Sequence, residues 1–306
     1  MTVGWIIGGL AIMGAMGGSP DEVEATSLLG APLHRPKLAA ATEKRYEEQL
    51  TAAQADYAAD PGNVDKAIWV GRRLAYLGRF RESIKFYSLA LQRFPNEPKL
   101  YRHRGHRYLT IRELGAAASD FEAAARHMRG KPDEVEPDGQ PNARNVPIGS
   151  LHSNVWYHLG LAYYLQGQWD KAAQAYAECQ KTSSNDDRLV STSYWQALTY
   201  ARMGNRDATQ RVLSRIQPKM QVIENDNYHQ LLLYFKGEVS EESLRKAADE
   251  GNAKSTIGYG IAAWKLTQGN RTEAKHQFEE ISKSSNWSAF GYLAAEAELA
   301  RILKKG

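Results

Sequence analysis

The sequence predicts an all-α fold, a solenoid of about six stacked helix hairpins closed by a C-terminal capping helix. Three observations predict it. Gly71 and Gly105 stand 34 residues apart, and similar groupings recur down the chain. The stretch Trp156-x2-Leu159-Gly160-x2-Tyr163, followed by Ala172-x3-Tyr176, sets large and small residues at helical spacing. Alternation of β-branched residues is sparse, so strands are not expected.

The 306-residue chain begins with Trp5–Met16, a run of apolar and small residues. At about 12 residues it is shorter than the ~20 of a membrane-spanning helix and suits a signal-peptide core. Val23-Glu24-Ala25 and Ala15-Met16-Gly17 each offer a small-residue cleavage site, while no Lys or Arg precedes the run. Residues 1–25 therefore read as a signal peptide or as an N-terminal apolar anchor. The first reading places the protein in the periplasm or outside a bacterium. The second holds it at the membrane, facing the periplasm.

Residues 26–39, with Pro32 and Pro36, read as a linker. The solenoid is expected over 40–306. Ala40–Ala59 is a helix that Pro61-Gly62-Asn63 breaks. The first hairpin carries Gly71, Leu74, Gly78, Tyr87, Ala90 and Pro95. The second carries Tyr101, Gly105, Tyr108, Ala117, Phe121 and Ala124. Residues 130–149 then interrupt the period with Pro132, Pro137, Pro141 and Pro147, which makes them a loop insertion on one face. The third hairpin surrounds Trp156 and Gly160, and the fourth holds Tyr200, Gly204 and Ala208. The fifth, Leu231–Gly237 with Leu244–Ala247, is short and degenerate; the sixth holds Trp264, Gly269, Ala274 and Phe278. Trp287–Lys304 is amphipathic, and Glu296, Glu298 and Arg301 give it the polar face of a solubilising cap.

Each residue type has a physical reason. Gly71, Gly105 and Gly160 let paired helices approach closely, and the large residues Tyr87, Phe121 and Tyr176 fill the space between hairpins. Glycine at Gly78, Gly167, Gly204 and Gly269 supplies the left-handed backbone that ends a helix. These residues together resemble the tetratricopeptide repeat, with its W-x2-L-G-x2-Y and A-x3-F signature and 34-residue period. The resemblance covers Ala67–Gln180 and, with more departures, Arg188–Ile281. It implies a right-handed superhelix of about six repeats. The long insertion, the Trp156 repeat and Val222–Asn225 also resemble a group of bacterial repeat proteins, a likeness that implies fold and bacterial origin but no activity.

A net charge of +4 is small for this length and gives no ground for nucleic-acid binding. The single cysteine, Cys179, excludes an intramolecular disulfide and reads as a buried thiol. No G-x-S-x-G elbow, phosphate-cradling glycine loop or H-E-x-x-H occurs, so no catalytic residue and no cofactor is expected. His103 and His106 share a helix face with Arg102 and Arg107; cations beside them disfavour a metal. Glu134, Glu136 and Asp138 read as a solvated acidic loop rather than a calcium site.

The resemblance implies a concave groove lined by the first helix of each hairpin, where a peptide docks. The residues expected there are Arg72, Tyr76, Arg102, His106, Tyr157, Leu161, Tyr164 and Tyr194. Such a groove is basic at its N-terminal end and aromatic in the middle. It suits an acidic or carboxylate-ended protein or peptide partner, since arginine grips carboxylates and tyrosine supplies contact area. Some repeats of this family hold chaperone tails with a lysine–asparagine clamp. Here arginine and histidine stand at those places, so no chaperone-tail clamp is expected. The function this implies is a non-catalytic interaction scaffold. The alternatives are a membrane-surface structural component, or an enzyme subunit with a site under the 130–149 loop.

Overall fold

The computed structural model describes residues 22–248 and 251–304, with the backbone alone at 251 and 252. The apolar run Trp5–Met16 lies outside the described residues. The chain runs β1 (Val23–Thr26), β2 (Pro32–His34), α1 (Ala40–Ala59), α2 (Val64–Tyr76), α3 (Phe80–Arg93), α4 (Pro98–Thr110) and α5 (Leu114–Met128). After the insertion come α6 (Leu151–Leu165), α7 (Trp169–Lys181), α8 (Asp186–Arg202), α9 (Arg206–Leu213), α10 (Asp226–Lys236), α11 (Glu241–Ala247), α12 (Gly251–Thr267), α13 (Arg271–Ile281) and α14 (Phe290–Leu303). The fold is an all-α solenoid of antiparallel hairpins with one small β-hairpin at its N-terminal side.

Local chemistry starts the helices where the sequence places them. The Asn63 side chain accepts from the Asp65 and Lys66 amides ahead of α2, and Ser150 forms a reciprocal capping box with Ser153 ahead of α6. Gly78 and Gly167 end α2 and α6 with φ of 74° each, a conformation that costs glycine nothing. The corresponding turn after α4 is made by Arg112 at φ 69°, where a side chain is strained.

The small residues are needed for close approach. A Cβ on Gly160 would lie 2.5 Å from the Tyr176 ring, and one on Gly71 would lie 2.2 Å from Tyr87. The aromatic of the second helix thus packs directly on the backbone of the first, and Tyr87, Phe121 and Tyr176 are fully buried.

Two expectations are corrected here. Residues 26–39 do not form a free linker. β1 and β2 pair antiparallel, and Ala25 and Leu33 join Ala75, Phe80, Ile111, Trp287 and Tyr292 in one apolar cluster. Trp287 Nε1 donates to the His34 carbonyl at 2.8 Å. Val23-Glu24-Ala25 is therefore part of a strand, with Glu24 and Ala25 buried. A short run of mixed residues between prolines hides this, because its partners lie at the far end of the chain.

The second correction concerns α14. Glu296 and Glu298, expected to face water, are buried. Glu298 pairs with Arg202 and Arg301, and Glu296 pairs with Arg112 and accepts from the Leu28 amide. A polar side chain on a helix signals solvent only when no distant cation claims it. The helix packs against α12 and α13 and also reaches back to α6. Repeats of a simple solenoid touch only their neighbours; this one folds its last helices across its own concave side.

Candidate functional site

The return of α12 and α14 divides the concave face into a filled part and an open part. In the filled part, Leu161, Tyr164 and Tyr194 have no exposed surface. The Tyr164 and Tyr259 hydroxyls lie 2.7 Å apart, joining α6 to α12. Tyr194 stacks on Tyr228 of α10 with ring centroids 4.5 Å apart. These three residues are core, not groove lining as the sequence reading had them, because the helices after α9 occupy the space a peptide would need. His106 is half-buried between His158, at 4.6 Å, and Phe290 at the start of α14, at 5.5 Å.

The open part is a cavity of about 240 Å³ beneath the insertion. Arg72 of α2, Arg102 of α4 and Arg188 of α8 line it, together with Tyr157, His158 and Asn154 of α6. Glu136 and Asp138 enter from the insertion, and Glu224 from the loop before α10. Of the eight residues expected in a groove, Arg72, Arg102 and Tyr157 are brought together here. Tyr76 sits beside them, its hydroxyl accepting from Arg72 Nε at 3.4 Å. Tyr157 is buried, and its hydroxyl accepts from Trp195 Nε1 at 2.8 Å.

Glu136 is the buried centre of the pocket's polar network. It pairs with Arg102 Nη2 at 3.0 Å and lies 3.6 Å from His103 Nε2. Asn154 donates to it through Nδ2 and accepts from Arg188 Nη2. Arg188 Nε also donates to the Ile148 carbonyl at 3.3 Å, which ties the end of the insertion to α8. Asp187, next in sequence, is buried and accepts from the amides of Ile223, Glu224 and Asn225, so it shapes the loop that carries Glu224.

Burial and the neighbouring arginines keep the histidines neutral. His103, His106 and His158 are all held well below the ordinary imidazole value, first by desolvation and then by Arg102 or Arg107. Arginine donors leave His103 and His106 an unprotonated Nδ1, while the bond His158 makes to a carbonyl opposes its shift. Arg102 Nη1 donates to His103 Nδ1 at 3.1 Å, Arg107 Nη2 donates to His106 Nδ1 at 2.6 Å, and His158 Nδ1 donates to the Asn154 carbonyl at 2.6 Å. Desolvation lowers the Arg107 guanidinium to about 10.

Cation and anion are supplied by different parts of the chain. The three lining arginines stand on solenoid helices, while two of the three lining carboxylates, Glu136 and Asp138, come from the insertion. Glu136, expected on a solvated acidic loop, is instead buried on an arginine. Arg188 and Asn154 were missed. The signal in the sequence, a basic face on α4 followed by alternating acids in the next loop, points to Arg102 and Glu136 and not to these two.

A family model for the tetratricopeptide repeat matches residues 153–186, which span α6 and α7. No curated protein matches the chain. The chain is similar to the crystal structure of a tetratricopeptide repeat protein from Parabacteroides merdae, with 17% identity over 82% of this chain and 91% of that one and a TM-score of 0.48. It is also similar to YrrB, described as a TPR protein with an unusual peptide-binding site, with 14% identity over 83% and 98% of the two chains and a TM-score of 0.43. Yeast Tom70 aligns with 12% identity over 86% of this chain and 60% of its own, with a TM-score of 0.39. The glycine–aromatic packing of the matched repeat, Gly160 on Tyr176, recurs at Gly71 on Tyr87 and Gly105 on Phe121, and residues 153–186 of the chain form a tetratricopeptide repeat.

Proposed function

We propose that the protein is a non-catalytic interaction scaffold that binds an acidic segment of a partner protein in the pocket beneath the insertion. The convergence of Arg72, Arg102 and Arg188 on one cavity carries this reading. A planar guanidinium recognises carboxylates through paired, charge-assisted donors. At about 240 Å³ the cavity is smaller than the roughly 300–1,000 Å³ of small-molecule sites, and it suits one or two side chains of a longer chain. The titratable groups support binding rather than catalysis: Glu136 is engaged by Arg102 and Asn154.

The test is affinity capture followed by mass spectrometry, with the chain beginning at residue 22 so that β1 is kept. A variant with Arg72→Ala, outside the apolar core, runs in parallel. A partner held by the parent and lost by the variant supports the reading. A partner held equally by both moves recognition away from the pocket.

The setting is proposed from the apolar run Trp5–Met16: an exported bacterial protein, periplasmic or held at the membrane facing the periplasm. No helix among the described residues is long and apolar enough to cross a membrane. Fractionation with N-terminal sequencing tests this, and a full-length cytoplasmic product would overturn it.

A further inference from the structure

We infer that the acidic stretch Asp133–Asp138 of the insertion occupies, in cis, the place of the partner's segment, and that the partner therefore presents an extended chain with carboxylates two residues apart. The inference rests on the pocket being the recognition site.

The stretch is bound as a ligand strand would be. Val135 bridges antiparallel to Ser150, the Glu136 amide donates to the Gly149 carbonyl at 3.0 Å, and the Leu151 amide donates to the Glu134 carbonyl at 2.9 Å. Extended backbone sends alternate side chains to opposite sides. Glu134 and Glu136 face the solenoid, and Val135 between them is 67% exposed. Each acid meets a cation of α4: Glu134 lies 3.0 Å from Lys99 Nζ, and Glu136 lies 3.0 Å from Arg102 Nη2. The next carbonyl, Pro137, accepts from Arg72 Nη1 of α2 at 2.8 Å. One strand thus spans two adjacent repeats.

Lys99 also pairs with the solenoid's own Asp65 of α2 at 3.1 Å, whereas the arginines take little charge from the solenoid helices. Glu136 is the carboxylate that pairs with Arg102. Arg72, Arg107 and Arg188 form no ion pair with a carboxylate among the described residues. Arg102 Nε is buried without a hydrogen bond. A face of this kind binds acids, and the insertion is the acid now on it.

The strand is also held in a way that permits release. Its later anchors, Gln140 to Tyr46 at 2.9 Å and Asn142 to Glu224 at 2.6 Å, are exposed and therefore weak. Glu136 is the buried latch.

The test uses a fluorescent synthetic peptide with the sequence of residues 131–142. It is titrated by anisotropy into the parent chain and into a Glu134→Gln/Glu136→Gln variant, both beginning at residue 22. The variant should bind the peptide at least tenfold more tightly than the parent, because its own strand no longer competes. The same peptide with Gln at positions 134 and 136 should bind neither, and added salt should weaken the interaction. Equal binding to parent and variant, or none to either, overturns the proposal and leaves the insertion a brace. Should the variant not fold, hydrogen exchange on the parent decides. Saturating peptide should speed exchange at the chain's own Glu136 and Leu151 amides at least tenfold, and unchanged rates overturn the proposal. Partner capture reads the pocket and these titrations read the insertion, so either can fail alone.

Discussion

Arg112 donates twice to one oxygen of Glu296, from Nη2 at 2.7 Å and from Nε at 3.1 Å, across 184 residues of chain. Both side chains are at most 2% exposed. Arg112 also donates to the Trp287 carbonyl at 2.8 Å and lies over the Trp287 ring at 5.0 Å. The residue that breaks the turn rule after α4 is the one that fastens the C-terminal helix.

Removing one partner strands the other charge in the interior. Glu296→Gln or Arg112→Ala should each destabilise the chain by about 3–5 kcal/mol in urea unfolding. Arg112→Gly should recover about 1 kcal/mol of that from the relaxed φ. A paired replacement, Arg112→Met with Glu296→Met, should cost less than either single change. Single losses below about 1 kcal/mol would mean that the pair does not fasten α14.

Acid should loosen the pocket before it protonates the carboxylates. The folded chain keeps His103 and His158 neutral, with pKa values well below 6.5, whereas the unfolded chain takes up both protons near 6.5. The unfolded state then binds more protons, so stability is fully present above about pH 6.5 and is lost as pH falls below it. Between about pH 7.5 and 5.5 these two and His106, which is lowered in the same way, should together remove about 4 kcal/mol. His158→Asn keeps the donor to the Asn154 carbonyl and should remove about a third of the loss. A flat pH profile would show that these histidines are not neutral by burial.

The contact of Gly160 with Tyr176 predicts overpacking. Gly160→Ala would set a methyl 2.5 Å from a fully buried ring, and a loss of about 1–3 kcal/mol is expected. Adding Tyr176→Leu should return part of it, because the smaller side chain yields the space. Thermal unfolding of the single and double variants measures both.

The β-hairpin should be worth keeping. A chain beginning at Ser27 loses Ala25 from its cluster and loses the Glu24 carboxylate that accepts from the Arg81 amide at 3.0 Å. It should be about 2–3 kcal/mol less stable than one beginning at Glu22. Equal stability would make the strand an ornament of the surface.

The sequence was most informative where its signals were local. The 34-residue spacing, the small residues facing Tyr87, Phe121 and Tyr176, and the turn glycines specify each hairpin from within. The short α10 and α11 were visible in the brevity of Leu231–Gly237 and Leu244–Ala247. What escaped was the return of the chain on itself. Tyr164 and Tyr194 have the spacing of groove residues, and only the position of Tyr259 and Tyr228 makes them core. Glu296 looked solvent-facing because its partner is 184 residues away. In the pocket, Arg72 and Arg102 were legible as groove cations. Arg188 was not, because its role depends on how the insertion lies across α8.

The clasp between the ends has a consequence for how such a chain can vary. An open array tolerates gain or loss of a unit, since each addition disturbs only the last interface. Here Trp287 must reach the His34 carbonyl and Glu296 must reach Arg112. An extra hairpin anywhere between them would carry the two halves of the clasp apart, and a missing one would make them collide. The number of hairpins in this protein is thus fixed by its circumference, as the number of staves is fixed by the hoop of a barrel.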